Sequence, residues 1–228
     1  MQAQNLHFKI DGILVLVGAG RVSKKLLLKL HKNGATIIAA DGGAKYCAKL
    51  NITPLAIIGD MDSIKNKSDW AEKTRLIELT EQETTDFEKC LYSTSAHLTI
   101  ALGMSGNRLA HTLSAIDIIG RYTCNRHIIL IDEKDLAFGA CGEFSLAIGV
   151  GQNLSIHPFC EIEFEGSKGL KYPLDEITLA PNIKTGTSNK TNSHQFTITP
   201  KANDKSPYLL IMDRDKLDII ITKLISKG

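Results

Sequence analysis

The first half of the chain repeats one pattern, in which a short apolar run is followed by a loop rich in glycine or aspartate. Apolar runs without polar breaks are typical of parallel strands covered on both faces, and strands that alternate with helices predict a parallel sheet. Because right-handed crossovers bring the carboxyl ends of these strands to one edge, we expect their loops to share a ligand-binding crevice. The runs, with the loops that follow them, are Ile13–Val17 before Gly18-Ala19-Gly20, Ala35–Ala40 before Asp41-Gly42-Gly43, and Leu55–Ile58 before Gly59-Asp60.

The pattern changes near residue 135. Beyond it, short strand-like stretches are separated by Gly, Pro, Asn and Ser, which predicts a small antiparallel β-domain, either a sandwich or a barrel. The 228 residues are enough for two cores. We therefore expect an α/β domain over residues 1–135 and an all-β domain over residues 136–228. An amphipathic helix over residues 214–226 is expected to end the chain.

Composition excludes several classes of partner. The net charge of +2 gives no electrostatic footprint for nucleic acid. Met1–Asp11 lacks a basic leader, and the first apolar run is too short for a signal peptide or a membrane span. We expect a cytoplasmic protein with neither a membrane nor a nucleic acid as partner.

Cysteine usage indicates reduced thiols. There are five cysteines, an odd number, and no C-x-x-C motif. This argues against a disulfide framework and against a structural zinc site. The expected state is reduced and mostly buried.

The strongest local signal is the D-x-D motif of Asp60 and Asp62, which directly follows an apolar run. If the strand pleat continues, residues two apart point the same way, and both carboxylates approach one point. Adjacent carboxylates repel each other unless a cation neutralises them, and Mg²⁺ prefers such oxygen ligands together with substrate phosphates. The alternatives are a solvated turn and a metal-dependent sugar-nucleotide transferase, which also uses D-x-D.

Two further acids favour a metal–phosphate site. Asp41 ends a neighbouring strand and precedes Gly42, where the backbone can approach a ligand closely. Asp86 lies in the first turn of a predicted helix, where the helix dipole alone also favours an acid. Acids at three places on one sheet edge are difficult to explain by helix capping.

A loop between a strand and a helix adds an anion site. Gly103-Met104-Ser105-Gly106-Asn107-Arg108 combines flexible backbone, a helix N-terminus and a guanidinium. Gly18-x-Gly20 is weaker, because Ser23 replaces the third glycine of a dinucleotide fingerprint. His111 has no carboxylate at ligand spacing and is expected to be a surface or packing residue.

Together these motifs resemble the thiamine pyrophosphokinase family. The resemblance runs from about Gly18 to Met212 and keeps the family's order across the predicted change of fold. The motifs that carry it are Ala40-Asp41-Gly42-Gly43-Ala44, Gly59-Asp60-Met61-Asp62-Ser63-Ile64, Thr84-Thr85-Asp86-Phe87-Glu88-Lys89-Cys90, Gly106-Asn107-Arg108, Gly169-Leu170-Lys171-Tyr172-Pro173-Leu174 and Gly186-Thr187-Ser188-Asn189.

The resemblance implies an ATP- and Mg²⁺-dependent transfer of pyrophosphate to thiamine by a homodimer with active sites between its subunits. It also implies that the β-domain is a sandwich. By position, Asp60, Asp62 and Asp86 become the catalytic and metal-binding acids. Nucleotide and phosphate contacts are implied for Asp41, Gly42, Thr85, Lys89, Gly103 and Arg108, and thiamine contacts for Thr187, Ser188 and Asn189.

The chain departs from the family pattern at three places. Ala110 stands where the family has an active-site aspartate, and Ala115 replaces the usual asparagine. Pro207–Met212 lacks the tryptophan that some members place there. A paralogue that binds thiamine without turnover is therefore an alternative, and a D-x-D nucleotide-sugar transferase is a second one.

Overall fold

Strand β1 (Phe8–Val17) lies inside a parallel sheet. Leu14 to Val17 have no exposed surface, as expected for a strand covered on both faces. In this computed structural model, which describes residues 6–202 and 204–226, β1 pairs with β2 (Thr36–Ala40) on one side and with β5 (Thr94–Leu102) on the other. The sheet continues through β3 (Ala56–Gly59) to β4 (Arg75–Glu78), and all of these pairs are parallel.

The helices of this region begin and end at predictable residues. Ser23 caps α1 by accepting a hydrogen bond from the backbone N–H of Leu26, and Gly34, at φ 88°, follows its end. Thr85 caps α4 through the N–H of Glu88. The elements are β1, α1 (Lys24–Lys32), β2 (Thr36–Ala40), α2 (Ala44–Lys49), β3 (Ala56–Gly59), α3 (Lys67–Ala71), β4 (Arg75–Glu78), α4 (Asp86–Ser93), β5 (Thr94–Leu102), α5 (Leu109–Tyr122) and β6 (Ile128–Ile131).

In the rest of the chain the strands pair in antiparallel fashion in two layers, in the orders β12-β9-β14-β7 and β11-β10-β13-β8. Aromatic contacts join the sheets face to face: Phe138 meets Phe144, and Phe164 meets Tyr208, with ring centroids 5.3 and 5.7 Å apart. The predicted β-sandwich is confirmed. Its elements are β7 (Asp135–Ala140), β8 (Phe144–Ala147), β9 (Asn153–Pro158), β10 (Ile162–Lys168), β11 (Thr178–Leu179), β12 (Gly186–Lys190), β13 (Gln195–Pro200), β14 (Tyr208–Asp213) and α6 (Leu217–Ile225).

Backbone contacts group the chain into two units. One contains the chain up to Ile116 together with Leu130–Glu133, and the other contains Asp117–Ile129 and the part that begins at Lys134. The predicted fold class, a parallel α/β part followed by an antiparallel β-sandwich, is confirmed. A single division after residue 135 stays a prediction. Within the described residues, no helix has the length and apolar character needed to cross a membrane.

One expectation about the cysteines is wrong. Cys124 and Cys141 form a disulfide, with their Cα atoms 5.7 Å apart. The fold places Cys124 just after α5 and Cys141 just after β7, within the Cα separation that a disulfide requires. Nothing in the sequence spacing of the cysteines reveals this proximity. Cys47 and Cys90 are buried free thiols as expected, whereas Cys160 is exposed.

Reducing this disulfide is expected to destabilise the second unit. The bond joins residues 17 apart, and closing a loop of that length stabilises a fold by about 3 kcal/mol through the unfolded state. Urea unfolding with and without dithiothreitol measures the difference. The exposed thiol of Cys160 provides the control, because Cys160→Ser should leave the unfolding midpoint unchanged. An unchanged wild-type midpoint after reduction would contradict the prediction.

Candidate active site

A cavity of about 400 Å³ lies at the carboxyl edge of the parallel sheet. Its wall comes from the loops after β1, β2, β3 and β5 and from the start of α4 and α5. These are the loops that the alternating pattern predicted to share one crevice. The residues assigned to this site from the sequence that line the cavity are Asp41, Gly42, Asp60, Thr85, Asp86, Lys89, Gly103 and Arg108.

Glycine lets two of these loops touch. A Cβ atom at Gly18 would lie 2.5 Å from the carbonyl oxygen of Gly103, and one at Gly20 would lie 2.6 Å from the same atom. Tyr46 from α2 donates a hydrogen bond to the carbonyl of Gly20, and Lys45 donates one to the carbonyl of Ala19. The Gly18–Gly20 loop is thus held on both sides, with its backbone in the cavity wall.

Three carboxylates form the chemical centre of the cavity. Asp41, Asp60 and Asp86 each place an oxygen within 4.8 Å of the others. They arrive from three separate elements, the ends of β2 and β3 and the start of α4. Three negative charges this close repel one another unless protons or a cation reduce the charge.

Asp41 is the most constrained of the three. Its side chain is buried, and its backbone adopts the left-handed conformation at φ 38°, which is uncommon for a residue with a side chain. Oδ2 accepts a hydrogen bond from the N–H of Ser63, but the buried Oδ1 has no hydrogen-bond partner among the described residues. Buried polar oxygens are seldom left without a partner, so this atom fits a cation ligand.

Asp86 holds its proton to a higher pH than an ordinary aspartate. Burial and the neighbouring charge of Asp60 raise the pKa of Asp86 to about 6, although the ammonium of Lys89 acts in the opposite direction. The Nζ atom of Lys89 lies 3.6 Å from Oδ1 of Asp86, and the side chain of Lys89 is only 2% exposed. Asp41, Asp60 and Asp86 together offer the hard oxygen ligands that suit Mg²⁺, and their unbalanced charge fits such an ion.

We expect Mg²⁺ to stabilise the protein at neutral pH and to have little effect in acid. The folded pKa of Asp86, about 6, lies above its ordinary value of 3.8. In the cation-free protein, protonation of Asp86 therefore stabilises the folded state. This stabilisation is fully present below pH 3.8 and is lost as the pH rises through about 6. Mg²⁺ binds the charged form, so the rise in melting temperature should be clear at about pH 7.5 and small at about pH 5.

Differential scanning fluorimetry with Mg²⁺ or EDTA tests this prediction. Asp86→Asn should remove most of the pH dependence of the magnesium effect. Glu161→Gln, which removes an exposed acid in the β-sandwich, should retain it. An equal magnesium effect at both pH values would contradict a proton-linked cluster.

Asp62 lies outside the three-carboxylate cluster. The pleat on which its assignment depended does not continue, because β3 ends at Gly59 and Met61 turns the chain at φ 66°. Asp62 is exposed, and its backbone N–H donates to Oδ1 of Asp60. The structure thus brings Asp41 rather than Asp62 next to Asp60 and Asp86. The assigned catalytic and metal roles of these residues stay predictions.

The loop after β5, for which the sequence predicted an anion site, forms another side of the cavity. Arg108 is exposed at its wall, and Ser105 donates to Oδ1 of Asp132 over 3.1 Å. His111, expected at the surface or in packing, also lines the cavity. The sequence feature that could have placed His111 in the cavity is its position at the start of α5, three residues after Arg108. Gln82 lines the cavity as well, without a recognisable motif.

The residues assigned to thiamine lie on β12, in the second unit. Thr187 and Ser188 are exposed, whereas Asn189 is buried. The Asn189 amide donates to the carbonyl of Tyr172 and its oxygen accepts from the N–H of Tyr172 and of Lys190. Asn189 therefore holds the Tyr172 segment against its strand, a structural task that the sequence did not reveal.

The departures from the family pattern have different surroundings. Ala115 is buried and lines the cavity, so the residue that replaces the usual asparagine faces the same space as the carboxylates. Ala110 is exposed on the first turn of α5. Tyr208, the aromatic residue near the missing tryptophan, is fully buried and donates to the carbonyl of Gly142.

Comparisons with known proteins agree with this description. Residues 27–130 match the family model of the thiamin pyrophosphokinase catalytic domain, while no curated protein matches the chain. The structure of thiamine pyrophosphokinase from Bacillus subtilis is 21% identical, with a TM-score of 0.73 over 90% of this chain and 99% of that one. The yeast thiamin pyrophosphokinase is 17% identical, with a TM-score of 0.75 over 96% and 94%.

A third structure, thiamin pyrophosphokinase from Candida albicans, is 15% identical, with a TM-score of 0.77 over 92% of this chain and 93% of that one. At these identities the solved structures establish the fold. The sequence match covers the segment that contains the carboxylate cluster and the loop after β5. Residues 27–130 therefore match the thiamin pyrophosphokinase catalytic domain, and the family resemblance that the motifs indicated is confirmed.

Proposed function

We propose that this chain transfers a pyrophosphoryl group from ATP to thiamine, giving thiamine diphosphate and AMP. The observation that carries the proposal is the cluster of Asp41, Asp60 and Asp86 in a cavity whose residues lie mostly within the family match. Phosphoryl-type transfer depends on positioning and on neutralising phosphate charge, and carboxylates paired with a divalent cation suit that task.

In the reaction, the hydroxyl oxygen of thiamine forms a bond to the β-phosphorus of ATP, and the bond from that phosphorus to the oxygen bridging the α-phosphate breaks. AMP leaves with that oxygen, and the hydroxyl proton passes to a base or to solvent. Asp41, Asp60 and Asp86 would hold Mg²⁺, which supplies charge neutralisation at phosphate oxygens when it is bound. The residues of the chain do the remaining work.

Several neighbours of the cluster have roles in this proposal. Arg108 and the loop after β5 attract phosphate oxygens through a guanidinium and backbone N–H groups. Lys89 lies 3.6 Å from Asp86 and limits the repulsion in the cluster. Thr85, at the start of α4, offers a hydroxyl beside the same acids.

The thiamine site and the quaternary structure belong to the same proposal. The family resemblance supports thiamine contacts from Thr187, Ser188 and Asn189, and the side chains of the first two are exposed. It also supports a homodimer with shared active sites. Light scattering of such a dimer should give about twice the chain mass of 24.9 kDa. A fully active monomer would refute the shared-site arrangement.

One assay tests the proposed activity. The protein is incubated with ATP, Mg²⁺ and thiamine, and the products are separated to detect AMP and thiamine diphosphate. Equal amounts of the two products support the proposal. Binding of thiamine without AMP formation would instead support a paralogue without turnover, an alternative favoured by Ala110 and by Ala115 in the cavity wall.

A further inference from the structure

The loop between β4 and α4, residues 79–85, supplies part of the wall around the carboxylate cluster. Gln82, Thr84 and Thr85 line the cavity from this loop. Gln82 is exposed, and its side-chain amide donates a hydrogen bond to the carbonyl of Thr80 over 3.3 Å. A bond between two residues of the same loop does not fasten the loop to the rest of the fold. The position of Gln82 therefore depends on what else holds the loop.

The carboxylate of Glu81 holds this loop. Its Oε2 atom accepts hydrogen bonds from the backbone N–H of Glu83 over 2.9 Å and of Thr84 over 3.0 Å. Its Oε1 atom accepts from the hydroxyl of Thr84 and from the phenol of Tyr92, the latter over 3.0 Å. Tyr92 belongs to α4, the helix that begins with Asp86, so the last bond fastens the loop to that helix. We call the pair of Glu81 and Tyr92 the loop anchor.

Both residues of the loop anchor have the protonation state that their hydrogen bond requires. Burial acts to raise the pKa of Glu81, but the hydrogen bonds that it accepts from Thr84 lower this pKa overall. Tyr92 and the ammonium of Lys89 act in the same direction as Thr84. Burial, together with the bond to Glu81, raises the pKa of Tyr92 to about 12. At neutral pH a charged carboxylate therefore accepts from a protonated phenol, and such bonds are stronger than those between neutral groups.

The two outer walls of the cavity differ in charge. The loop after β5 brings the guanidinium of Arg108, which suits phosphate oxygens. The loop after β4 brings the neutral amide of Gln82 and the hydroxyl of Thr84. In the sheet, β1, β2 and β3 lie between β5 and β4, so these walls face each other across the cavity. Neutral hydrogen-bonding groups suit a molecule with hydroxyl and amine groups, as thiamine has, better than they suit a polyphosphate.

We propose that Glu81 is a positioning residue, which holds the loop after β4 through Tyr92 so that Gln82 and Thr84 meet the acceptor substrate. This proposal rests on the proposed function, since the acceptor is the thiamine of that reaction. A loop that is already ordered need not lose conformational entropy when the substrate binds. Loss of the loop anchor should therefore weaken thiamine binding. The transfer step depends on the carboxylate cluster and should be nearly unchanged.

The first experiment measures the steady-state kinetics of Glu81→Ala. This variant should raise the KM for thiamine about tenfold, the effect of losing one charged hydrogen bond, and should keep kcat and the KM for ATP near their wild-type values. A merely structural role would instead lower kcat, through the fraction of folded protein, and leave both KM values unchanged. Glu83→Ala is the matched control, because Glu83 is an exposed acid of the same loop. Within the described residues its carboxylate has neither a hydrogen bond nor an ion pair.

The second experiment is a double-mutant cycle between the two residues of the loop anchor. Tyr92→Phe removes one donor and keeps the ring, so it should raise the KM for thiamine about threefold. Added to Glu81→Ala, it should have no further effect, because the partner of the phenol is already absent. Effects that multiply in the double variant would show that the two residues act independently and would overturn the proposal. Circular dichroism verifies that each variant is folded.

The possible failures can be told apart with amide hydrogen exchange, which needs no substrate. Glu81→Ala should exchange the amides of Glu83 and Thr84 faster than the wild type, because both lose their acceptor. If thiamine diphosphate forms but Glu81→Ala keeps the wild-type KM for thiamine, the positioning role is wrong and the proposed function stands. If the wild type forms no thiamine diphosphate, the proposed function is wrong and so is the acceptor role of the loop. Exchange then still decides whether Glu81 holds the loop.

Discussion

Asp60→Asn should reduce kcat/KM for thiamine by at least about 100-fold, the lower end of the cost of removing one electrostatic stabiliser from an enzyme site. The amide keeps the shape of the side chain but removes one of three charges within 4.8 Å of one another. Asp41→Asn and Asp86→Asn should have similar effects. Without Mg²⁺, the melting temperature of each variant should stay the same or rise, because like charges no longer repel.

Comparison with Asp62→Asn distinguishes the two arrangements considered for the metal site. A continued strand pleat would make Asp60 and Asp62 equally important. The observed turn at Met61 places Asp62 outside the cluster, so its variant should lose less activity than Asp60→Asn. Glu161→Gln serves as the exposed control. Equal and severe losses at Asp60 and Asp62 would contradict the cluster geometry, and near-normal activity of Asp60→Asn would refute the metal assignment itself.

Gly59→Ala should abolish activity and also destabilise the protein. A Cβ atom at Gly59 would lie 2.8 Å from Cβ of Asp41 and 2.9 Å from Oδ1 of Asp86. The methyl group would force both acids away from their positions without changing the charge of the site. The backbone at φ 153° adds strain, since side chains rarely adopt this conformation. We expect a loss of activity at least as large as that of Asp60→Asn.

Gly34→Ala is a suitable control for this substitution. Gly34 also has a positive φ, 88°, but a Cβ atom there would meet nothing within 4 Å. Its variant should be destabilised by about 1 kcal/mol from backbone strain alone and should keep its activity. Measuring kcat/KM and the melting temperature of both variants separates steric blocking of the cluster from general strain. Retained activity in Gly59→Ala would show that catalysis does not require Asp41 and Asp86 in their observed positions.

Much of the fold could be predicted from the sequence because its strongest signals are local. Uninterrupted apolar runs located β1 to β3, and the order of runs and helices predicted the parallel sheet. The same reasoning missed β7, β12 and α3. β12 contains no apolar residue and pairs irregularly with β9, and α3 has only five residues and none of them is buried. A pattern of apolar residues cannot predict such elements, because they form through contacts with neighbouring segments of the folded chain.

The site was predictable where it follows strand ends and less so where it depends on turns. Asp41 and Asp60 follow strand ends and Asp86 begins α4 at the same edge, and the topology of the sheet brings them together. The exclusion of Asp62 depends on a positive φ at Met61, which a local sequence pattern does not determine. The disulfide between Cys124 and Cys141 could not be predicted for a similar reason, since only the folded second unit brings these residues close.

The conformation of Asp41 has a consequence for the lifetime of the protein in the cell. A buried carboxylate with one oxygen lacking a hydrogen-bond partner, on left-handed backbone, lowers the stability of the cation-free state. Molecules that open more often are degraded faster, because proteases cut the open form. If Mg²⁺ occupies the cluster, a fall in magnesium supply would shorten the half-life of each copy as well as slow its catalysis. The abundance of the protein would then report on the availability of the ion.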